Sequence, residues 1–336
     1  MIDTLYIEDS VREHPRTREI TARFKHARII ECQRYQELFN ARAQNFRLQK
    51  TKPALILAEK HGNTVLPTPD GYGVGSELNY YFSHMLNCVY DCRYCFLQGM
   101  YQSAHYVLFV NFESFFEGIE NTLAHHPQKD VWFFSGYDCD SLALEPVTRF
   151  VDESLQFFQQ HPKAQLELRT KSTQVRCLLK SKPLDNCVVA FSLSPDEIAR
   201  ALEHRAPPLV KRLDAMRQLQ RAGWKIGLRF DPLIYDDNYR TLYADFFEQV
   251  FDKLDAGAVH SITLGTFRLP TKFFRKLETL YPKEKLLAAR LAEKDGQVTY
   301  SGTLETDLLS YCHDHVSQRV PPSKIFTMGE TDSAAA

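Results

Sequence analysis

The chain has 336 residues, 44% hydrophobic and 25% charged, with 41 basic and 42 acidic side chains and a formal net charge of -1. This is ordinary globular composition, with ample apolar material for a core, and the near-zero charge excludes a whole-chain attraction to nucleic acid, so any such contact needs a local patch. No apolar run approaches the roughly 18 residues of a membrane span, and the charged start MIDTLYIEDSVREHPRT lacks the apolar centre of a secretory leader. The expectation is a cytoplasmic protein without membrane contact.

Residues 1–79 show no strand–helix rhythm and are predicted to be an N-terminal extension, helical near 16–39. From Tyr80 onward, short apolar runs alternate with longer amphipathic ones. Strands are predicted at 80–86, 106–110, 131–134, 165–169, 187–193, 225–230 and 259–264, several of them continuously apolar, as strands covered on both faces are. Helices are predicted over 208–222, with Leu209, Leu213, Met216 and Leu219 on one face, and over 239–254, with two adjacent apolar rows. Repeated strand–helix units imply a parallel sheet with right-handed crossovers, an α/β partial or full barrel. The predicted organisation is the extension 1–79, a barrel over 80–270, and a helical and hairpin region with a polar tail over 271–336.

Polar residues recur at the ends of the predicted strands: Ser135, Gly136, Asp138, Cys139 and Asp140, then Arg169 and Lys171, Ser192 and Ser194, Arg229 and Asp231, Thr266 and Arg268. In parallel α/β folds those ends share one pole, where sites are built.

Five of the eight cysteines, Cys32, Cys139, Cys177, Cys187 and Cys312, are scattered and read as small buried hydrophobes. The other three, Cys88, Cys92 and Cys95, fall in one short loop at Cys-x3-Cys-x2-Cys spacing. Thiolates so close can wrap one metal centre, and soft thiolates select zinc, copper or iron–sulfur clusters. A cubane normally takes four cysteines, so three leave one iron open. The alternatives are a zinc site completed by His84 or His105, or a chance cluster of buried thiols; no second ligand couple supports zinc.

The cysteine loop after the first barrel strand resembles the radical S-adenosylmethionine superfamily. Within it the chain resembles the spore photoproduct lyase family, through Leu5-Tyr6-Ile7-Glu8, Tyr94-Cys95-Phe96-Leu97-Gln98, Val110-Asn111, Thr170-Lys171, Phe191-Ser192 and the turn Ala222–Gly227. The resemblance implies a partial (β/α)6 TIM-type barrel with a [4Fe-4S] cluster on Cys88, Cys92 and Cys95. It implies cleavage of S-adenosyl-L-methionine to a 5′-deoxyadenosyl radical that abstracts hydrogen from a substrate. By position, Ser135 and Gly136 would meet the methionine amino end, Lys171 and Ser192 its polar groups, and Tyr94 and Phe96 the nucleoside. A reducing donor such as flavodoxin or ferredoxin is implied, with DNA or a nucleotide as substrate.

The chain departs from that pattern. The resemblance implies a hydrogen-donor cysteine where Tyr137 stands, with Cys139 two residues on, and a relay tyrosine where Phe96 stands. Phenylalanine has no O–H to give. Cys139, Tyr137 and Tyr94 are therefore expected either to form a rearranged donor chain or to mark a branch acting on another substrate. A lesion-reading hairpin with an Arg-Tyr pair is also implied. The comparable segment 293–300 has a good turn in Asp295-Gly296 but no such pair. Two basic and aromatic patches, Arg42, Phe46, Arg47, Lys50, Lys52 and Lys272, Phe273, Phe274, Arg275, Lys276, fit phosphate-and-stacking surfaces or solvated helix faces equally. Competing readings of function are radical modification of a small metabolite or peptide, and a non-catalytic zinc-dependent nucleic-acid-binding protein.

Overall fold

The computed structural model describes residues 2–39 and 44–328. Arg42 of the first basic patch and the predicted tail 329–336 lie outside the described residues.

Continuous apolar runs become the strands of a curled sheet. Its order is Ile325–Thr327, Val259–Thr266, Lys225–Leu233, Cys187–Ser192, Ala164–Thr170, Val131–Ser135, Asn79–Phe82 and Leu66–Pro67. All neighbours pair parallel except the two-residue edge Leu66–Pro67. Six of these parallel strands, from Asn79–Phe82 to Val259–Thr266, make the partial barrel, and Ile325–Thr327 adds a short seventh after the C-terminal helix Leu304–Ser317. Crossover helices cover the outside. Leu209–Arg221 buries the predicted Leu209, Leu213, Met216 and Leu219, and Tyr239–Lys253 buries Tyr243, Phe246, Phe247 and Val250. The fold is α/β, a partial barrel, and among the described residues no helix is long and apolar enough to cross a membrane.

A second sheet corrects the chain-order reading. Arg28–Cys32, Thr4–Glu8, Leu55–Ala58 and Tyr106–Phe109 run parallel, and Met85–Leu86 closes the edge antiparallel. The run predicted at 106–110 thus belongs to this sheet and not to the barrel. All four residues of Tyr106–Phe109 are buried, and such a run carries no mark of which sheet receives it. The single strand predicted at 80–86 is two: it breaks at Ser83-His84 and changes sheet. The helix predicted near 16–39 is confined to Pro15–Arg23, started by Pro15 and by the His14 ring accepting from the Arg16 N–H at 3.2 Å. The β-branched pair Ile29-Ile30 then lies in an edge strand whose exposed residues gave no alternation to read.

The barrel interior is not wholly apolar. Arg229, expected at a strand end, sits within its strand, fully buried. It pairs with the equally buried Glu167 at 2.6 Å and donates to the Ser261 hydroxyl at 3.0 Å. The hairpin Leu291–Lys294 and Gln297–Tyr300 turns on Asp295 and Gly296, both left-handed, as predicted for that pair. The helix Thr271–Leu280 beside it packs so closely on Leu97–Met100 that a Cβ at Gly99 would lie 2.8 Å from the Phe273 carbonyl oxygen.

Candidate cofactor site

The cysteine loop is built at the change of sheet. After Met85–Leu86 the chain turns at Asn87, whose φ of 67° is left-handed, a region asparagine tolerates. Its amide donates to the Ser103 carbonyl at 2.8 Å and the His105 carbonyl at 2.7 Å, fixing the entry. The loop is then zipped onto the segment after helix Asp196–Leu202: Asp91–Cys92 pairs antiparallel with Glu203–His204, and the Arg93 N–H donates to the Leu202 carbonyl at 2.8 Å. The Cys95 N–H closes a turn on the Cys92 carbonyl at 3.2 Å before helix Leu97–Met100. Cys92 lies in the field of both Cys88 and Cys95, and Cys88 in that of Cys95.

Burial pushes the Cys88 thiol up to about 12, with Asp140 adding and Lys50 opposing. Burial likewise raises Cys92 and Cys95, against the charge of Lys171. A coordinated thiol is deprotonated by the metal's own charge, so these surroundings suit a metal group and disfavour a free thiolate nucleophile. Three soft thiols from one loop fit the three-thiolate ligation of a cubane with one open iron. Among the described residues, no three His, Cys, Asp or Glu side chains converge on a single-ion position. Neither histidine considered for zinc joins the thiols in such a group. His84 stacks on Phe150 at 3.9 Å and 3°, and the His105 Nδ1 accepts from the Ala54 N–H at 3.1 Å.

Around the loop stand several of the strand-end residues. The buried Tyr94 hydroxyl donates to Glu203, which also pairs with buried Arg212, accepts from the Ser194 hydroxyl at 3.2 Å and lies 3.9 Å from the Lys171 Nζ. Lys171 sits over the Tyr94 ring at 5.5 Å; burial works against its charge, and Glu203 together with Cys92 and Cys95 outweighs that and keeps it protonated. Arg212 also donates to the Ser192 carbonyl at 3.1 Å. Asp140 clamps two strand ends together. It accepts from the Leu142 and Ala143 N–H groups at 3.0 and 2.9 Å, from the Thr170 hydroxyl at 2.6 Å and from the Lys171 N–H at 2.7 Å.

Gly136 has φ of 83°, and a Cβ there would meet the Ser141 hydroxyl, which donates to the Ser135 carbonyl at 2.9 Å. Glycine at this position therefore serves the loop's own geometry. Cys139 is buried, its thiol raised well above the ordinary value by burial, then by Cys88, Asp138 and Asp140. Tyr137 and Phe96 belong to an aromatic nest: Tyr137 packs on Tyr81 at 4.4 Å, Phe96 at 5.5 Å and Tyr72 at 5.7 Å, with Arg169 over Tyr72 at 4.8 Å.

Glu203, Arg212 and the latch role of Asp140 escaped the sequence reading. Lys50, in the sequence one cation of a basic patch, is only 5% exposed and reaches the cysteine loop. Single charged residues in amphipathic segments give no local signal; the partners that bury them are distant in the chain.

A family model described as spore photoproduct lyase matches residues 1–303. The chain is 24% identical over 291 residues to the spore photoproduct lyase of Bacillus subtilis (strain 168), covering 84% of this chain and 83% of that protein. It is 24% identical over 204 residues to the spore photoproduct lyase of Geobacillus sp. (strain Y412MC61), covering 59% of each. A solved spore photoproduct lyase complexed with dinucleoside spore photoproduct superposes with a TM-score of 0.83 at 18% identity, over 97% of this chain and 98% of that one. A mutant of spore photoproduct lyase with bound AdoMet and dinucleoside spore photoproduct superposes equally well, with a TM-score of 0.83. With the family model matched from Met1 through residue 303, and the partial barrel shared along nearly the whole length, the chain belongs to the spore photoproduct lyase family of radical S-adenosylmethionine enzymes.

Proposed function

We propose that the chain holds a [4Fe-4S] cluster on Cys88, Cys92 and Cys95, binds S-adenosyl-L-methionine beside it, and acts on a nucleic-acid base. The observation that carries this reading is the single loop with three mutually interacting thiols, Cys92 buried and Cys88 and Cys95 half-buried, in a chain of this family. When bound, the cluster and its cosubstrate supply a 5′-deoxyadenosyl radical by one-electron cleavage, with methionine as the other product. The protein's own work is positioning and exclusion of water. Lys171, kept charged by Glu203, offers a cation to a carboxylate, and Ser192 and the Ser135–Gly136 turn offer polar groups to the same ligand. Tyr94 and Phe96, on either side of Cys95, would line the nucleoside.

The nest of Tyr137, Tyr81, Tyr72 and Phe96 with Arg169 supports a planar base as substrate, through stacking and cation–π contact. The relatives' printed names and the dinucleoside in the solved complexes support the same class. In this reading Cys139 donates hydrogen: its S–H breaks, a substrate C–H forms, and a thiyl radical remains on Cys139. A thiol held neutral by burial and by Asp138 and Asp140 is in the form that donation requires. Tyr94, whose hydroxyl proton is held by Glu203, is the member of the expected relay least suited to pass hydrogen to Tyr137.

The test is anaerobic reconstitution with iron and sulfide, then reduction with S-adenosylmethionine and dinucleoside spore photoproduct. The expected result is about four irons per chain, 5′-deoxyadenosine formation, and repair to two thymines that Cys139→Ser slows at least tenfold. Alanine at Cys88, Cys92 and Cys95 together should abolish 5′-deoxyadenosine. Stoichiometric zinc without cofactor cleavage would overturn the ligand assignment. Cleavage without repair would move the substrate to another class.

A further inference from the structure

Lys50 lies on the short helix Phe46–Thr51, which begins at Asn45, whose side chain accepts from the Leu48 N–H at 3.0 Å. Its neighbours behave as surface cations: Arg47 is exposed, and Lys52 pairs with Asp3 at 2.7 Å. Lys50 turns the other way. Its ammonium donates to the Cys88 carbonyl at 3.0 Å and the Tyr90 carbonyl at 3.2 Å, on the cysteine loop.

Among the described residues three basic side chains are buried: Lys50, Arg212 and Arg229. Arg212 meets Glu203 and Arg229 meets Glu167, each a carboxylate buried with it. Lys50 has carbonyl dipoles and, among the described residues, no carboxylate in ion-pair contact. A buried charge without an opposite charge is costly, and such groups are found paired or beside metal centres. The thiols of Cys88 and Cys95 lie in its field. As metal ligands these are thiolates, and with Cys92 they bring three negative charges to one place.

We propose that Lys50 is the charge partner of the metal–sulfur group held by Cys88, Cys92 and Cys95, fixing the loop through two carbonyls and favouring the one-electron-reduced state of that group. The inference rests on the ligand reading above. The electron comes from a low-potential one-electron protein donor; Lys50 gives up no proton and forms no bond. Cluster potentials follow net charge and hydrogen bonding around the sulfurs, and in a site shielded from water a nearby cation stabilises each added negative charge more than it would in bulk solvent. The other cations near the loop are offset by carboxylates, Lys171 by Glu203 at 3.9 Å, Arg212 by the same Glu203 and Arg93 by Asp91 at 3.1 Å; among the described residues Lys50 has no such offset. The N-terminal sheet region thereby supplies part of the cofactor site.

The experiment uses the full chain, reconstituted anaerobically, with iron and sulfide counted and the midpoint potential followed by electron paramagnetic resonance during dithionite titration. Lys50→Gln keeps a donor for the carbonyls and removes the charge; Lys50→Arg keeps the charge. Lys50→Gln is expected to load its cluster and to be at least tenfold harder to reduce, a potential about 59 mV more negative for one electron. Lys50→Arg should recover most of that shift, which a purely structural role would not predict. Lys50→Met is the second neutral variant should glutamine disturb the fold. A loaded neutral variant with the wild-type potential overturns the inference alone. A wild-type chain that takes up no iron and sulfide overturns the ligand reading, and the inference with it.

Discussion

Tyr94, Ser194, Arg212 and Lys171 all turn to one carboxylate, Glu203, which is fully buried. Burial alone would raise its pKa, but Lys171 and Arg212 outweigh burial and hold it below the ordinary value. The charge of Glu203, more than any single hydrogen bond, therefore ties the loop after Cys92 to the helix Leu209–Arg221. Glu203→Gln leaves Arg212 and Lys171 without an anion and is expected to cost about 3–5 kcal/mol, as removing one member of a buried pair does. Tyr94→Phe removes one hydroxyl from a carboxylate that keeps its cations and is expected to cost about 1–2 kcal/mol. Urea unfolding of the two variants at neutral pH checks the order. A larger loss in Tyr94→Phe would make the hydroxyl the principal tie.

Elements in this fold are started and joined by single buried acids, and Glu145 is the clearest case. Its carboxylate accepts from the Val151 N–H at 3.1 Å and from the Thr148 hydroxyl at 3.2 Å, capping the helix Phe150–Gln160 from the preceding short helix. Burial nevertheless pushes it up to about 8, against those hydrogen bonds. The folded chain therefore keeps this proton after the unfolded chain has lost it near pH 4.3. Between about pH 4.3 and about 8 the folded state binds more protons, so stability falls as pH rises and then levels off. Glu145→Gln, neutral throughout, should lose that dependence and gain about 3–5 kcal/mol on wild type between pH 5 and pH 8. Unfolding curves that stay parallel for the two proteins across that range would show that Glu145 ionises normally. The same elements show what could be read from sequence. The strands Cys187–Ser192 and Lys225–Leu233 and the helix Leu209–Arg221 announced themselves by apolar period, because burial on a sheet or a helix face imposes it. The three-cysteine cluster was legible because the residues of one loop are neighbours in the sequence. Tyr106–Phe109 was legible as a strand but not as a member of the second sheet, since partner choice depends on residues far away. Glu203 and Lys50 were illegible as site residues for the same reason: their burial is a property of the assembled core.

At the scale of the whole molecule, the two basic patches prove to be neighbours. The Arg47 guanidinium lies 5.9 Å from the ring centre of Tyr281, the residue that ends the helix Thr271–Leu280, on which Lys272, Arg275 and Lys276 sit. Arg93 covers the same ring at 3.9 Å. Much of the charge on this face is already spoken for. Lys50 is buried, Lys52 pairs with Asp3, Arg275 lies 3.6 Å from Glu293, and Arg93 pairs with Asp91. The aromatic residues are half committed as well, since Phe274 is buried and Phe273 abuts Gly99. Among the described residues of the two patches, Arg47, Lys272 and Lys276 are left to meet phosphates. With a net charge of -1 the remainder of the chain adds no general attraction. If duplex DNA docks here, three phosphates neutralised give a slope of log affinity against log salt of about -2.7, from about -0.9 per contact. Affinity should then fall about fortyfold between 50 and 200 mM salt. Replacing Arg47, Lys272 and Lys276 together by glutamine should flatten the slope to near zero, with little loss of stability because Arg47 and Lys272 are exposed and Lys276 is only half-buried. Electrophoretic binding across salt reads both numbers. A slope steeper than about -4 in the wild type, or one that survives the triple replacement, would place the DNA-binding face elsewhere on the molecule.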